Sequence, residues 1–513
     1  MLDLKEEVEK YVTNQLPDYK LLHIRAPKVI HDTVWGSNLF MPHEVALLDL
    51  PLVQRLRRIS QVAVASLVYP SGNHNRFEHS LGVAVIGEQL VNALFQKIEE
   101  GQKKGLKPFT DVQVNKDFVL THVRIAAIMH DCGHGPFSHL SEKIYEKFDD
   151  LLKVKKEDPA LSKASAHEIL SYLIVSSNSF KLFFEKNISH EYGVKVDLNL
   201  VAQMIVGYVK DQRFAFIVDI INGVFDADKL DYIQRDSHFT GIKMVLDLQR
   251  LFYTVDLVYD ASEKLRLSVD ISGVSTLEQI IFNKMMLFTT VYHHHKVRAA
   301  ESIFKDLIMK LKSETIKLNG VSFSSTADFL HLTDDDIYTL AGHENKVIRY
   351  LATNLRNRRL PMRALVLSRK TTGTDPKSIL KAVITLDRNG GLDILKKAIS
   401  AAAKEKLGKD VPEEEIWIDL QPGPNFKEAT LCPIKSMGEK QNFIKLHEVL
   451  PVDDWVQAFS QVKWSGYVFT RPEYRETVYE ASKIVLEEAF DIKLNDFSRF
   501  LCKIDEEDIS SNV

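Results

Sequence analysis

The stretch that most constrains this chain is an apolar helix that runs straight into ionisable groups. DFVLTHVRIAAIM (117–129) carries apolar residues at helical spacing, and HDCGHGPFSH (130–139) follows with three histidines, one aspartate and two glycines. The spacing predicts a helix over about 117–131, broken by Gly133 and Gly135. Neighbouring helix residues point about 100° apart. His130 and Asp131 therefore reach one common point only off the helix shoulder. A divalent ion is such a point, because imidazole and carboxylate together suit iron, manganese, zinc or magnesium. A carboxylate buried beside a histidine is otherwise costly without a partner.

Two ligands do not hold a metal firmly. Upstream, SGNHNRFEHSLG (71–82) offers His74, Arg76 and His79 at the start of another helix. Downstream, FDADKLDYIQRDSHFTG (225–241) offers Asp226 and Asp228. The order of types points to His79, His130, Asp131 and Asp228 as the metal set. In a helix starting near Asp226, residues Asp228, Tyr232 and Asp236 fall at i, i+4 and i+8 on one face. One end of that face meets the metal, and the other lies about two turns of 5.4 Å away.

At 513 residues the chain exceeds one ordinary core, so two or more lobes are expected. Helices are predicted at roughly 51–65, 78–99, 117–131, 166–177, 199–209, 215–237 and 276–312. YTVDLVY (253–259) and LRLSVDI (265–271) flank a polar turn and read as a hairpin. KVKKEDPALSK (153–163) reads as a surface loop. Leu4, Val8, Tyr11, Val12 and Leu16 make residues 1–25 a docking helix for the protein itself. Residues 26–315 form the helical domain. Residues 316–513 form a smaller α+β lobe, with strands at 363–368, 382–386 and 416–420 and helices at 376–381, 391–405 and 472–490.

The net charge of −4 excludes a global basic field of the kind that drives non-specific nucleic-acid binding. Cys132, Cys432 and Cys502 are too scattered for a disulfide framework or a thiolate zinc site, which fits a reducing compartment. The acidic, amphipathic start is unlike a signal peptide, and no apolar run is long enough to span a membrane. The expectation is a cytoplasmic protein with no membrane partner.

HNRFEHSLG, HDCGHGPFSH and DADKLDYIQRD, in that order, resemble the motifs of the HD-domain phosphohydrolase superfamily. Within it, the chain is similar to the deoxynucleoside triphosphate (dNTP) triphosphohydrolases, over about residues 25–310 and more weakly beyond; the SAM domain of vertebrate members is not expected here. The resemblance implies a mostly α fold: an HD-domain helical, metal-dependent phosphohydrolase core with a smaller α+β C-terminal lobe. It implies hydrolysis of a dNTP to deoxynucleoside and inorganic triphosphate. The same four metal ligands follow, with iron, manganese, magnesium or zinc left open.

The resemblance also sets His134, His139 and His167 around the phosphates. Glu142 stands where the family commonly has an aspartate, able to orient an imidazole as general acid. Arg76 is expected to fork onto phosphate, with Lys229 beside it. Tyr232, Asp236, Gln61 and Tyr292 are implied at the sugar, Gln61 at its 3′-hydroxyl and Tyr292 against C2′. Tyr292 precedes His293, His294 and His295, which read as a mixed surface and core strip.

KVIHDTVWG (28–36) and LDLPLVQRLRRISQ (48–61) resemble segments that, in regulated members, bind an activating nucleotide at a subunit interface. Lys28, Asp49, Gln54 and Arg57 fall on matching positions, and Asp49 with Arg57 can read a guanine edge. RNRRLPMR (356–363) lies where regulated relatives add an arginine, with Arg358 and Arg359 equally placed. The implied partners are a dNTP substrate, GTP or a dNTP as activator, and further copies of the chain as a dimer or tetramer; nucleic acid is weakly supported. The competing readings keep the metal site for nucleoside monophosphates or cyclic nucleotides, or make the chain a nucleotide sensor or nucleic-acid-binding scaffold.

Overall fold

A computed structural model describes residues 3–16, 24–372, 391–420, 426, 431–435, 443–502 and 504. The chain divides into two compact units, and the division is not a single cut. The first unit holds Met1–Leu287, Ile308–Thr339 and Lys427–Leu450; the second holds Phe288–Leu307, Leu340–Phe426 and Pro451–Val513.

The first unit is built round the long helix Arg76–Lys103. It starts where Asn75 accepts a hydrogen bond from the Glu78 amide, and from Leu81 to Leu94 most of its apolar residues are buried. The helix Lys116–Met129 is also capped by an asparagine, Asn115, and is buried continuously from His122 to Met129. Helices Ala166–Ser176, Leu198–Ile205, Ala215–Ile221 and Ala227–Thr240 complete the helical body. The N-terminal helix Leu4–Gln15 buries Leu4, Val8, Tyr11 and Val12. Tyr11 meets the His331 ring edge-on at 4.9 Å, and Glu9 accepts from the Asn178 and Ser179 amides.

Three expected helices are broken. Over 51–65, Pro51–Gln54 passes into the tight turn Arg55–Arg58 and then becomes extended at Ile59. There the backbone pairs with the start of the long helix: Gln61 N donates to His74 O and Arg76 N to Ile59 O. Over 215–237, Asn222 and Gly223 interrupt the helix and Asp226 caps a new one at Ala227. Over 276–312, Val274–Leu287 runs on into a wider π-helical turn, Phe288–Tyr292, and the break falls at His293 and His294 before His295–Ser313. The expected loop at 153–163 begins instead as the end of a helix, Asp149–Glu157, and continues through the tight turn Pro159–Leu161. Its charge hid it: two aspartates open the helix and two lysines close it, which suits the helix dipole, while only Leu151 and Val154 are buried.

The expected hairpin forms as Val255–Tyr259 against Leu265–Asp270, and Pro433–Lys435 and Phe443–Lys445 extend that sheet. A hairpin not foreseen, Lys28–Asp32 against Gly36–Phe40, precedes the helices.

The second unit carries a three-stranded antiparallel sheet in the order Met362–Leu367, Gly466–Thr470, Ile416–Asp419. Its outer strands and the helices Gly391–Leu407 and Arg475–Phe490 match expectation; its central strand was not foreseen. The expected strand at 382–386 and helix at 376–381 lie outside the described residues. Leu365, Leu395, Ile399, Val468 and Val478 pack in its core. Beside them Arg298, 2% exposed, bonds Asp419 through Nε (2.8 Å) and ion-pairs with Glu301. Removing one partner of a buried pair strands the other charge. Arg298→Ala is therefore expected to cost roughly 3–5 kcal/mol in chemical unfolding, and Arg298→Met with Asp419→Leu and Glu301→Gln much less. An unchanged unfolding midpoint for Arg298→Ala would contradict this reading.

Candidate active site

The break at Asn222 places Asp228 in the first turn of a helix, facing the long helix. His79 Nε2 lies 2.8 Å from Asp228 Oδ1 and 3.8 Å from Asp131 Oδ2. His130 Nε2 lies 3.3 Å from Asp131 Oδ1 and 3.9 Å from Asp228 Oδ1. All four expected ligands are thus brought together, and donor atoms of His79, His130 and Asp131 lie within 4.8 Å of one another.

The donor chemistry fits a cation. His130 Nδ1 is 2.6 Å from Ala127 O, and a carbonyl only accepts, so the proton sits on Nδ1. Nε2 of the neutral ring then carries a lone pair, and among the described residues this buried atom has no hydrogen-bond partner. Around it stand carboxylate oxygens. Burial pulls Asp131 upward, but the Arg76 guanidinium beside it holds it well below the usual carboxylate range. Asp228 is likewise pulled up by burial but lowered further by His79.

The turn after Asp131 is fixed from several sides. Ser171 Oγ donates to His130 O and accepts from Gly133 N. Gly133 is required there, since a Cβ would stand 2.2 Å from His167 O. Arg55 donates to the Cys132 and His134 carbonyls, and Asp334 accepts from Phe137 N. Phe137 and Ser138 have positive φ of 55° and 54°, a costly conformation that this surround imposes.

A second cluster adjoins the first. Glu142 accepts from His139 Nδ1 at 2.7 Å with one oxygen and from His167 Nδ1 at 2.9 Å with the other. The His134 and His167 rings stack at 3.8 Å, and His134 Nε2 lies 3.3 Å from Asp131 Oδ1. The same residues could themselves hold an ion. Burial lowers His167, but Glu142 overrides it and raises the ring to about 9. Burial, then Arg76 and His167, drive His134 well below the ordinary histidine range. Two stacked imidazoles are thereby pushed apart, one cationic and one neutral at pH 7. His139 is 60% exposed.

The other expected residues divide. Arg76, 3% exposed, donates to Asp131 Oδ2 at 2.9 Å and to Ser138 Oγ at 2.8 Å. Gln61 is buried with Oε1 lacking a partner among the described residues. Lys229 is turned onto Asp226 Oδ2 (2.6 Å) and Gly223 O (2.9 Å). Asp236 is held by His74 Nε2 at 2.7 Å, and Tyr232 is half-buried on the same helix. Tyr292 falls in the second unit, as do Arg358 and Arg359. His293 packs against Phe288 at 4.0 Å, and the histidine triplet contributes to neither candidate ion cluster. Lys28 is exposed on the first hairpin, and Asp49 is half-buried. Gln54 accepts from Arg57 Nε at 2.8 Å, and the Arg57 guanidinium lies 3.7 Å over the Phe77 ring.

Sequence reasoning missed Asp231. Its Oδ2 lies 2.7 Å from His79 Nδ1, and both side chains are fully buried. The available signal was its place three residues after Asp228, with Arg235 one turn on.

Residues 76–233 match the HD domain, and residues 246–496 match the HD associated region. The chain carries an HD domain. Its HD match contains the four expected metal ligands and both clusters. The chain is 27% identical over 337 residues to deoxynucleoside triphosphate triphosphohydrolase SAMHD1 of Homo sapiens, covering 62% of this chain and 50% of that one. It is 27% identical over 348 residues to the SAMHD1 homolog of Dictyostelium discoideum, covering 66% and 60%. This chain spans about half the length of the human relative it matches. An uncharacterized protein of Methanocaldococcus jannaschii is 25% identical over 87% of this chain and 80% of its own. A solved structure of a hypothetical protein from Aquifex aeolicus superposes with a TM-score of 0.58 at 22% identity, covering 89% of this chain and 99% of that one, and so shares the fold. No helix among the described residues is long and apolar enough to cross a membrane.

The geometry links metal binding to proton loss. In the metal-free chain burial lowers His79, but Asp228 and Asp231 outweigh it and raise the ring to about 10. Near pH 7 the ring is an imidazolium, and a metal must displace its proton. Affinity should therefore rise with pH until the ring titrates. Calorimetry with Mn²⁺ is expected to find roughly tenfold tighter binding per pH unit between about pH 7 and 9, with about one proton released. Binding independent of pH would contradict this assignment.

Proposed function

We propose that this chain is a metal-dependent phosphohydrolase that converts dNTPs to deoxynucleoside and inorganic triphosphate. The observation that carries the reading is the adjacency of two clusters, buried but for His139: a donor set suited to a divalent ion, and a histidine–glutamate set suited to phosphate and proton transfer. The likeness to the human and Dictyostelium triphosphohydrolases supports the choice of substrate.

A divalent ion held by His79, His130, Asp131 and Asp228 would supply Lewis acidity toward a phosphoryl oxygen and make water more acidic. The chain's own groups do the rest. Arg76, anchored on Asp131 and Ser138, presents its guanidinium beside that set. His167, kept cationic by Glu142, adds positive charge for the phosphates, while neutral His134 stacks on it. Lys229 reaches the phosphate chain by leaving Asp226. Gln61, Tyr232 and Asp236 are assigned to the sugar. Water attacks the α-phosphorus and loses a proton as the bond to the 5′-oxygen breaks. His139, steered by Glu142 and open to solvent, hands a proton to that departing oxygen. Paired titratable groups with opposed environments are what such acid–base work needs.

The same proposal assigns an activating nucleotide to Lys28, Asp49, Gln54 and Arg57, in a homo-oligomer working in the cytoplasm. Its support is local: Arg57 covers Phe77, the residue after Arg76.

The test is product analysis. Each dNTP is incubated with protein and Mn²⁺ or Mg²⁺, alone and with GTP, beside Asp131→Ala and His139→Gln. Deoxynucleoside and triphosphate should form with the parent and be lost in Asp131→Ala. His139→Gln should lower kcat by roughly 10²–10⁴-fold with little change in KM. Turnover of monophosphates or cyclic nucleotides but of no dNTP would replace this reading with the alternative substrate class.

A further inference from the structure

The metal ligand His79 is backed by a buried network that leads to the turn of the first hairpin. His79 Nδ1 bonds Asp231 Oδ2 at 2.7 Å. That oxygen also accepts from Arg235 Nε at 2.8 Å. The other oxygen, Oδ1, accepts from Arg235 Nη2 at 3.0 Å and from Trp35 Nε1 at 2.5 Å. Arg235 Nη1 continues to Asp32 Oδ2 at 2.8 Å. Asp32 in turn folds the hairpin turn, its Oδ1 accepting from Val34 N and Trp35 N at 2.8 Å each. The indole can reach Asp231 because Asp32 holds this turn. Asp231 and Arg235 are fully buried and Asp32 is 6% exposed.

The backbone is shaped round this network. A Cβ at Gly82 would stand 1.8 Å from Asp231 Oδ1 and 2.4 Å from Arg235 Nη2. Glycine there leaves the carboxylate the room it occupies one turn after His79. Elsewhere on the hairpin Lys28, Val29, His31 and Leu39 are exposed, while Phe40 is buried at its end. At its far end, the Leu39 carbonyl accepts from Arg124.

We propose that Asp231 and Arg235, clamped by Asp32 and Trp35, are positioning residues that fix the ring orientation and tautomer of His79, so that the hairpin turn sets the affinity of the metal centre. The proposal rests on the reading of His79, His130, Asp131 and Asp228 as a metal site. The chemistry is that of an outer partner to a metal-bound imidazole. A carboxylate on Nδ1–H keeps the lone pair on Nε2 and makes the ring a stronger donor. Arg235 keeps that carboxylate ionised although it is buried, and Trp35 fills its remaining acceptor site. Loss of any one link frees the ring to rotate or to carry its proton on the wrong nitrogen. Lys28 opens the strand that ends at Asp32, so a ligand at Lys28 acts on the same element.

The experiment uses the full chain, with Mn²⁺ for affinity and diamagnetic Zn²⁺ for spectra. Binding is measured by calorimetry for the parent, Asp231→Asn, Trp35→Phe and a His130→Ala control, with ¹⁵N spectra of labelled histidine recorded on the proteins at saturating Zn²⁺, where the metal has displaced one proton of the His79 ring and the remaining one marks its tautomer. Asp231→Asn is expected to weaken Mn²⁺ binding roughly 10–100-fold, and Trp35→Phe less, with His79 moving away from the Nδ1–H form in both. A purely structural network would lower thermal stability and leave affinity and tautomer untouched. Should Asp231→Asn fail to fold, Trp35→Phe decides. Parent-like Mn²⁺ binding and an unmoved His79 tautomer in the folded variants, beside lost binding in His130→Ala, overturn the proposal and leave the metal reading standing. Parent-like binding in His130→Ala overturns both.

Discussion

His130 Nε2 is a buried nitrogen facing carboxylate oxygens of Asp131 and Asp228 with no proton to share on that side in the neutral ring. Such an arrangement is electrostatically unbalanced unless positive charge sits among these atoms. His79 supplies it as a proton in the metal-free chain, and Arg76 supplies more from the flank. A divalent ion answers the same demand with one centre. Much of the first unit is arranged to keep these groups close despite the cost of burying them. The break at Asn222 brings in Asp228, the glycine at 133 lets the turn press on the His167 helix, and Ser171 ties its ends.

The histidine cluster solves a different problem with similar parts. One carboxylate, Glu142, orients two imidazoles and leaves a third without such a partner, so neighbouring rings take opposite charge states at one pH. Arg76 serves both clusters, since it pairs with Asp131 and lowers His134. A change at Arg76 should therefore be felt in metal affinity and in proton transfer together, and the two effects will not add independently.

That His79, His130, Asp131 and Asp228 would be brought together was legible in the sequence, because each sits inside a motif rich in residues of one chemistry, and their types are complementary. Helix existence was legible too, wherever the apolar period was long, as at 117–129. What escaped detection was governed by distant partners. Ile59 is extended because Arg76 N reaches its carbonyl, and no local signal announces that pairing. The helix at Asp149–Glu157 buries only Leu151 and Val154 and otherwise reads as solvated charge. The central strand Gly466–Thr470 of the second unit is short and gains its place from the strands on either side. Asp231 stood in plain view but looked like one acid among several. Only the fold reveals that its oxygens are shared among His79, Arg235 and Trp35.

The most direct test of the central claim is diffraction from crystals of the full chain loaded with Mn²⁺, with data collected for anomalous scattering. The account predicts an anomalous peak within coordination distance of His79 Nε2, His130 Nε2, Asp131 and Asp228. A peak confined to His134, His139, Glu142 and His167, or no peak in either cluster, would contradict it.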